Sequence, residues 1–258
     1  MTLYNTVNPT RFTRLAINDI RVGGRSLLIA LGATVGLLLV TNASSVASSE
    51  RWYFHIVFFP LTLMLGGHIA TSLCFREMHN PKRGYMYLTM PGSLLEKFAV
   101  KLLLTSIGWA ILAVVVYWIF SVLAAGLTSL LLGMAHPVFD PFHRSVWWFV
   151  RLYIVTQSVT LFGAVYFRKL HLVKTILSIT ALAIVLALLA GGLARLVFTD
   201  YFRGGWLSFD DSAFNFADGQ RLEAFYSKVL DVIVFVFWWV MAPILWVAAF
   251  LRLRDTEV

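Results

Sequence analysis

The sequence predicts an all-α, polytopic integral membrane protein with six transmembrane helices and cytoplasmic N- and C-termini. Three observations carry this. The 258 residues are 59% hydrophobic and only 13% charged, with a mean hydropathy of +0.79, whereas soluble domains are about 45–50% apolar and about 25% charged. Six stretches are apolar over the roughly 20 residues that a helix needs to cross a hydrocarbon core of about 30 Å. Lys and Arg also collect on one set of connecting segments, as cytoplasmic loops require. A soluble chain of this size could not bury so much apolar surface. Soluble enzymes, DNA readers and disordered proteins are therefore excluded.

The chain reads as a single transmembrane domain, residues 1–258. Within the cytoplasmic segment 1–26, residues 9–22 are basic and amphipathic. Phe12, Leu15, Ala16 and Ile20 recur at helical spacing while Arg11, Arg14, Asn18 and Arg21 point elsewhere. Pro9 suits a first helical turn, and Gly23-Gly24 is a natural stop. Such a helix lies in the membrane interface with its apolar side toward the acyl chains. It serves either as an anchor or as a docking element for a cytoplasmic partner.

The spans follow at 27–47, 52–75, 102–132, 145–167, 175–198 and 230–251. The first is preceded by Arg21 and Arg25 and ends at Ser45-Val46-Ala47, which mimics a secretory leader with its cleavage site. It is too long for a leader and reads as a retained span. The third has 31 residues. At about 1.5 Å per residue it would measure about 46 Å, so it tilts, protrudes or breaks, with Gly126 as the natural break.

Segments 1–26, 76–101, 168–174 and 252–258 carry 14 cations against 5 acids, and the opposite connections carry 6 against 8. The first set is cytoplasmic. The net charge of +8 is thus a topology signal that also favours lipid headgroups, and no nucleic-acid partner is expected. The outer segment 199–229 contains Asp200, Asp210, Asp211, Asp218 and Glu223 without the spacing of a calcium loop, which reads as a solvated acidic face. Leu222, Phe225, Tyr226 and Val229 predict a surface or partly re-entrant helix over 219–229.

Polar residues inside the spans are few. Arg151 lies in the fourth span, close enough to its outer end to snorkel beside Trp147 and Trp148. Alternatively Arg151, Arg195 and Asp231, all near the outer face, form an ion-paired set. His55 and His68, thirteen residues apart, are too distant to share a metal and read as interior hydrogen-bonding groups; no metal site is expected. Gln157 and Asn42 are expected to bridge helices, and Gly32 and Gly36 permit close helix packing. Trp52, Tyr53, Trp147, Trp148 and Trp206 fit an outer aromatic belt. The single cysteine, Cys74, can form no internal disulfide and reads as a buried thiol.

The inner loop 76–101 is the segment richest in signals. Ser93 and Glu96 form a capping box that starts the third helix, and Pro91-Gly92 is a turn just ahead of it. Lys82 and Arg83 make a basic patch. Tyr85, Met86, Tyr87, Leu88 and Met90 place adhesive side chains in a water-facing loop, suited to the membrane surface or to a protein partner.

The run Tyr87-Leu88-Thr89-Met90-Pro91-Gly92-Ser93-Leu94-Leu95-Glu96-Lys97, with Lys101 following, resembles a segment of exporter-type (second class) ABC transporter permeases, especially a Bacteroidetes-like six-span form. In those subunits a "leucine, x, leucine-proline, small, serine/alanine, x-x-glutamate-lysine, x-x-x-lysine" run precedes the third span. Here Met90 stands for the usual leucine, and Gly92 fills the small position. The resemblance implies that the inner loop forms a coupling helix seated on a separate ABC ATPase subunit. Glu77, Met78, Lys82, Arg83, Tyr85 and Tyr87 would make that contact, and Pro91, Ser93, Glu96 and Lys97 would form the helix-start motif. For each coupling residue the alternative is a simple interfacial anchor. The resemblance also implies a dimer with a second permease copy or a paralogue, and an inner (plasma) membrane location.

The chain has no G-x-x-x-x-G-K-[ST] phosphate cradle. No cofactor is therefore expected in this chain, and ATP with Mg would sit on the partner subunit. An intramembrane enzyme is disfavoured, since the sequence has no H-E-x-x-H or G-x-S-x-G motif and no paired core carboxylates. The leading expectation is an exporter permease subunit. The alternative is a non-transporting scaffold or sensor that keeps the permease shape.

Overall fold

The computed structural model describes residues 8–21, 24, 32, 35–36, 51–75, 92–133, 137–167, 171–197 and 230–256, and every regular element among them is a helix. Helix α1 covers 9–21. Helix α2 is Arg51–Leu73. Helix α3 runs as α-helix over Leu94–Leu103, widens into a π-turn at Leu104–Gly108, and resumes over Trp109–Leu132. Helices α4 and α5 are Arg144–Tyr166 and His171–Val197. Helix α6 is helical over 230–235, π-wound over Val236–Val240, and α-helical over Met241–Thr256.

Helices α2 to α6 are each long and apolar enough to cross a membrane. The chain is thus an all-helical, multi-pass membrane protein. The expected first span at 27–47 falls mostly outside the described residues, as do the outer segment 199–229 and residues 76–91 of the inner loop.

The break expected at Gly126 does not occur. Helix α3 passes straight through it and ends at Gly133, which turns left-handed at φ 63° and donates its N–H to Ser129 O at 3.0 Å. A lone glycine costs a helix only about 1 kcal/mol, and no proline lies between Gly126 and the end of the helix. The apolar stretch Leu94–Leu131 has 38 residues and is about 57 Å long. Its first two turns, with Glu96, Lys97 and Lys101, precede its purely apolar part. We call this the basic end of the bundle.

Helix α4 is the central element. In its most apolar window 56% of residues are buried, against 6% in α5, and α4 packs on α2, α5 and α6. Away from the basic end, Phe59, Leu63, Tyr117, Phe120, Phe139 and Tyr153 fill the space among α2, α3 and α4. At the basic end, Phe75, Phe98, Leu161, Ala164, Ala249 and Leu253 join α2, α3, α4 and α6.

Two adjacent glycines on α2 allow this packing. A Cβ on Gly66 would overlap the Trp109 indole, and one on Gly67 would overlap the Tyr153 ring. Each thus accepts an aromatic anchor from a different neighbouring helix. Trp109 Nε1 completes its anchor by donating to Leu63 O at 3.0 Å. Beyond Thr175, which fills the space beside Gly163, α5 residues 176–189 are exposed on every side.

Candidate functional site

At the basic end, two helix starts share one carboxylate. Ser93 Oγ accepts the Glu96 N–H at 3.2 Å, and Glu96 Oε2 accepts the Ser93 N–H at 2.8 Å. This is the capping box that the sequence predicts. Glu96 Oε1 reaches across to α1, accepting the Asn8 N–H at 2.7 Å and lying 3.8 Å from Arg11 Nη2.

Asn8 itself begins α1. Its Oδ1 accepts the Thr10 N–H at 3.0 Å, and its carbonyl accepts the Phe12 N–H at 2.9 Å. The Glu96 charge therefore sits at the positive ends of two helices at once. Its side chain is 0% exposed. Burial pushes the Glu96 carboxyl up, but the Asn8 and Ser93 donors and the Arg11 charge outweigh it and hold the carboxyl below its ordinary range.

Two further contacts close α1 onto α3. Leu15 packs over Gly92, where a Cβ would come within 2.9 Å of Leu15 Cδ1. Lys101 Nζ meets Asp19 Oδ2 at 2.9 Å. The amphipathic helix thus lies clasped to the end of the inner loop, which its periodicity alone does not reveal. A faint signal exists, because Asp19 is the only acid in residues 1–26.

The expected coupling residues Glu77, Met78, Lys82, Arg83, Tyr85 and Tyr87 lie outside the described residues, as does Pro91. Of the helix-start motif, Ser93 and Glu96 are brought together, and Lys97 is buried beside them with its N–H on Ser93 O at 3.1 Å.

Inside the bundle, α4 is fastened to the π-turn of α3. The Trp109 N–H reaches back five residues to Leu104 O, and the Thr105 carbonyl receives the Tyr153 hydroxyl. Gln157 Nε2 donates to Thr105 Oγ1 at 3.0 Å, so Gln157 bridges helices as expected; Asn42 lies outside the described residues. Thr105 and Ser106 hydroxyls turn back onto Lys101 O and Leu102 O at 2.7 and 2.6 Å, satisfying carbonyls at the widened turn.

His55 is an interior hydrogen-bonding group. Its Nε2 is 3.0 Å from Pro137 O, which can only accept, and its Nδ1 is 3.2 Å from the Tyr117 hydroxyl. His68 Nδ1 lies 2.7 Å from Met64 O. Among the described residues no three His, Cys, Asp or Glu side chains come together as metal ligands.

At the opposite end, Arg151 turns toward α6. Its Cζ lies 4.4 Å from the Trp238 ring centroid and 5.1 Å from that of Trp239. Among the described residues it forms no ion pair with Asp231, which is exposed at the start of α6. Arg195 lies on α5, with its side chain outside the described residues.

No family model, no curated protein and no solved structure matches this chain.

Proposed function

We propose that this chain is the membrane-spanning permease subunit of an ABC-type exporter, driven by a separate ATPase subunit that docks on the 76–101 loop. The observation that carries this reading is the buried Glu96 carboxylate, which ties the end of that loop to both α1 and α3. A loop that receives a push from a partner transmits it only if it is fixed to rigid elements. Here a displacement of residues 92–96 moves two helices together. The loop's run from Tyr87 to Lys97 is also the segment that resembles such permeases.

In this reading the partner supplies ATP and Mg, since the chain has no phosphate cradle. A second copy or a paralogue completes the assembly in the inner membrane, and α5, exposed along most of its length, is available to lipid or to that second subunit. The cargo that suits so apolar a bundle is amphipathic or lipid-like.

The test is isolation of the full chain from its native membrane with its bound proteins identified. The expected result is a co-purifying ABC ATPase that is lost when Lys82 and Arg83 are reversed to Glu while membrane insertion stays normal. The absence of any ATPase would overturn the reading. An ATPase that binds without nucleotide-driven transport would identify a permease-like scaffold instead.

A further inference from the structure

Arg151 lies two turns inside α4, about 10 Å along the helix from Arg144, on the exposed side of the bundle. A guanidinium at that depth is expensive in hydrocarbon, so its surroundings are informative. It lies over the indoles of Trp238 and Trp239, and Trp148 meets Trp238 edge-on at 6.2 Å. Two consecutive residues can serve one cation because both belong to the π-turn Val236–Val240, where the Met241 N–H reaches back to Val236 O. A π-turn holds more residues than an α-turn, so successive side chains diverge by less than the usual angle of about 100°.

The indoles offer the guanidinium a π surface and no oxygen acceptor. Its five N–H donors lie in its plane, and among the described residues no carboxylate pairs with them. A planar fork of donors matches the oxygens of a phosphate. Trp239 is 64% exposed and Trp148 50%, and indoles settle at headgroup level, where one edge is apolar and the other wet. The long Arg side chain reaches toward the same level.

We propose that Arg151, Trp148, Trp238 and Trp239 form a binding site for the phosphate of an anionic membrane lipid. Arg151 supplies the hydrogen-bond donors, and the π-turn indoles hold it in place. The site is independent of the transport reading.

The test uses the full chain, stripped of lipid in detergent and titrated with phosphatidylglycerol, with bound lipid counted by native mass spectrometry. Wild type is expected to hold one phosphatidylglycerol that Arg151→Gln binds about tenfold more weakly, the loss of a charge-assisted pair. Arg151→Lys, which keeps the charge without the fork, falls between them. The double variant Trp238→Leu/Trp239→Leu also weakens binding, and it decides the matter if Arg151→Gln does not fold. Equal lipid binding by wild type and these variants overturns the proposal. In a parallel arm inorganic phosphate is added at the lipid's concentration. It is expected not to displace the lipid, and displacement would reassign the site to a free anion.

Discussion

Glu96 holds the backbone N–H of Asn8 at 2.7 Å across 88 residues of sequence. The same carboxylate caps α3 through Ser93, so its two oxygens face donors from two helices. Glu96→Gln keeps the size but turns an amide NH₂ toward one of those donors. A buried donor left without an acceptor costs about 1–3 kcal/mol. Thermal unfolding in detergent should register that loss, and protease should cut within residues 1–21 sooner than in wild type. Unchanged unfolding and unchanged cleavage would show that the clasp contributes nothing.

Acid should open the same clasp. The Glu96 carboxyl lies below its ordinary range in the folded chain. Its contribution is therefore complete above the unfolded value of about 4.3 and disappears as pH falls through the lower folded value. Hydrogen exchange of the amides in 9–21, corrected for intrinsic rate, should be slow at neutral pH and accelerate below about pH 4. The comparison is with Glu96→Gln, which should lose most of this dependence. The same acid response in both proteins would assign it elsewhere.

The parts of this architecture set by local chemistry are legible in the sequence. Ser93 and Glu96 are three residues apart, and both halves of the capping box form as read. Hydropathy locates the five described spans because it is a property of each segment alone. The partner of α1 is not legible, because periodicity states which face is apolar and not what covers it. The continuity of α3 through Gly126 is hidden for a different reason, since one glycine marks a break only when the surroundings favour one. The π-turns at Leu104–Gly108 and Val236–Val240 leave no trace in composition. Each is matched to a side chain from α4, Tyr153 at Thr105 and Arg151 at Trp238 and Trp239. Arg151 is recognisable as a costly residue, but its use of indoles rather than Asp231 depends on how α4 and α6 pack.

The glycines of α2 and α3 should respond oppositely to alanine. Gly67 lies against the Tyr153 ring, whose hydroxyl is fixed on Thr105 O. A methyl there must displace a buried aromatic anchor, and overpacking of this kind costs about 1–3 kcal/mol. Gly126 has nothing within 4 Å of where a Cβ would stand, so Gly126→Ala should be neutral or stabilising by up to about 1 kcal/mol through helix propensity. Unfolding of the two variants in the same detergent checks the contrast. A destabilised Gly126→Ala would mean that a partner packs on that face.

Arg151 should be coupled energetically to Trp238 and not to Asp231. In a double-mutant cycle of Arg151→Gln and Trp238→Leu, measured in lipid-free detergent, a partly desolvated cation–π contact predicts a coupling of about 0.5–2 kcal/mol. The cycle of Arg151→Gln with Asp231→Asn should be additive to within about 0.5 kcal/mol, as for independent sites. Salt separates the two cases further. An exposed ion pair weakens as ionic strength rises, whereas the indole contact is shielded by the rings themselves and should change little between low and high salt. A strong, salt-sensitive coupling to Asp231 would return Arg151 to the ion-paired set that its position in the sequence suggests.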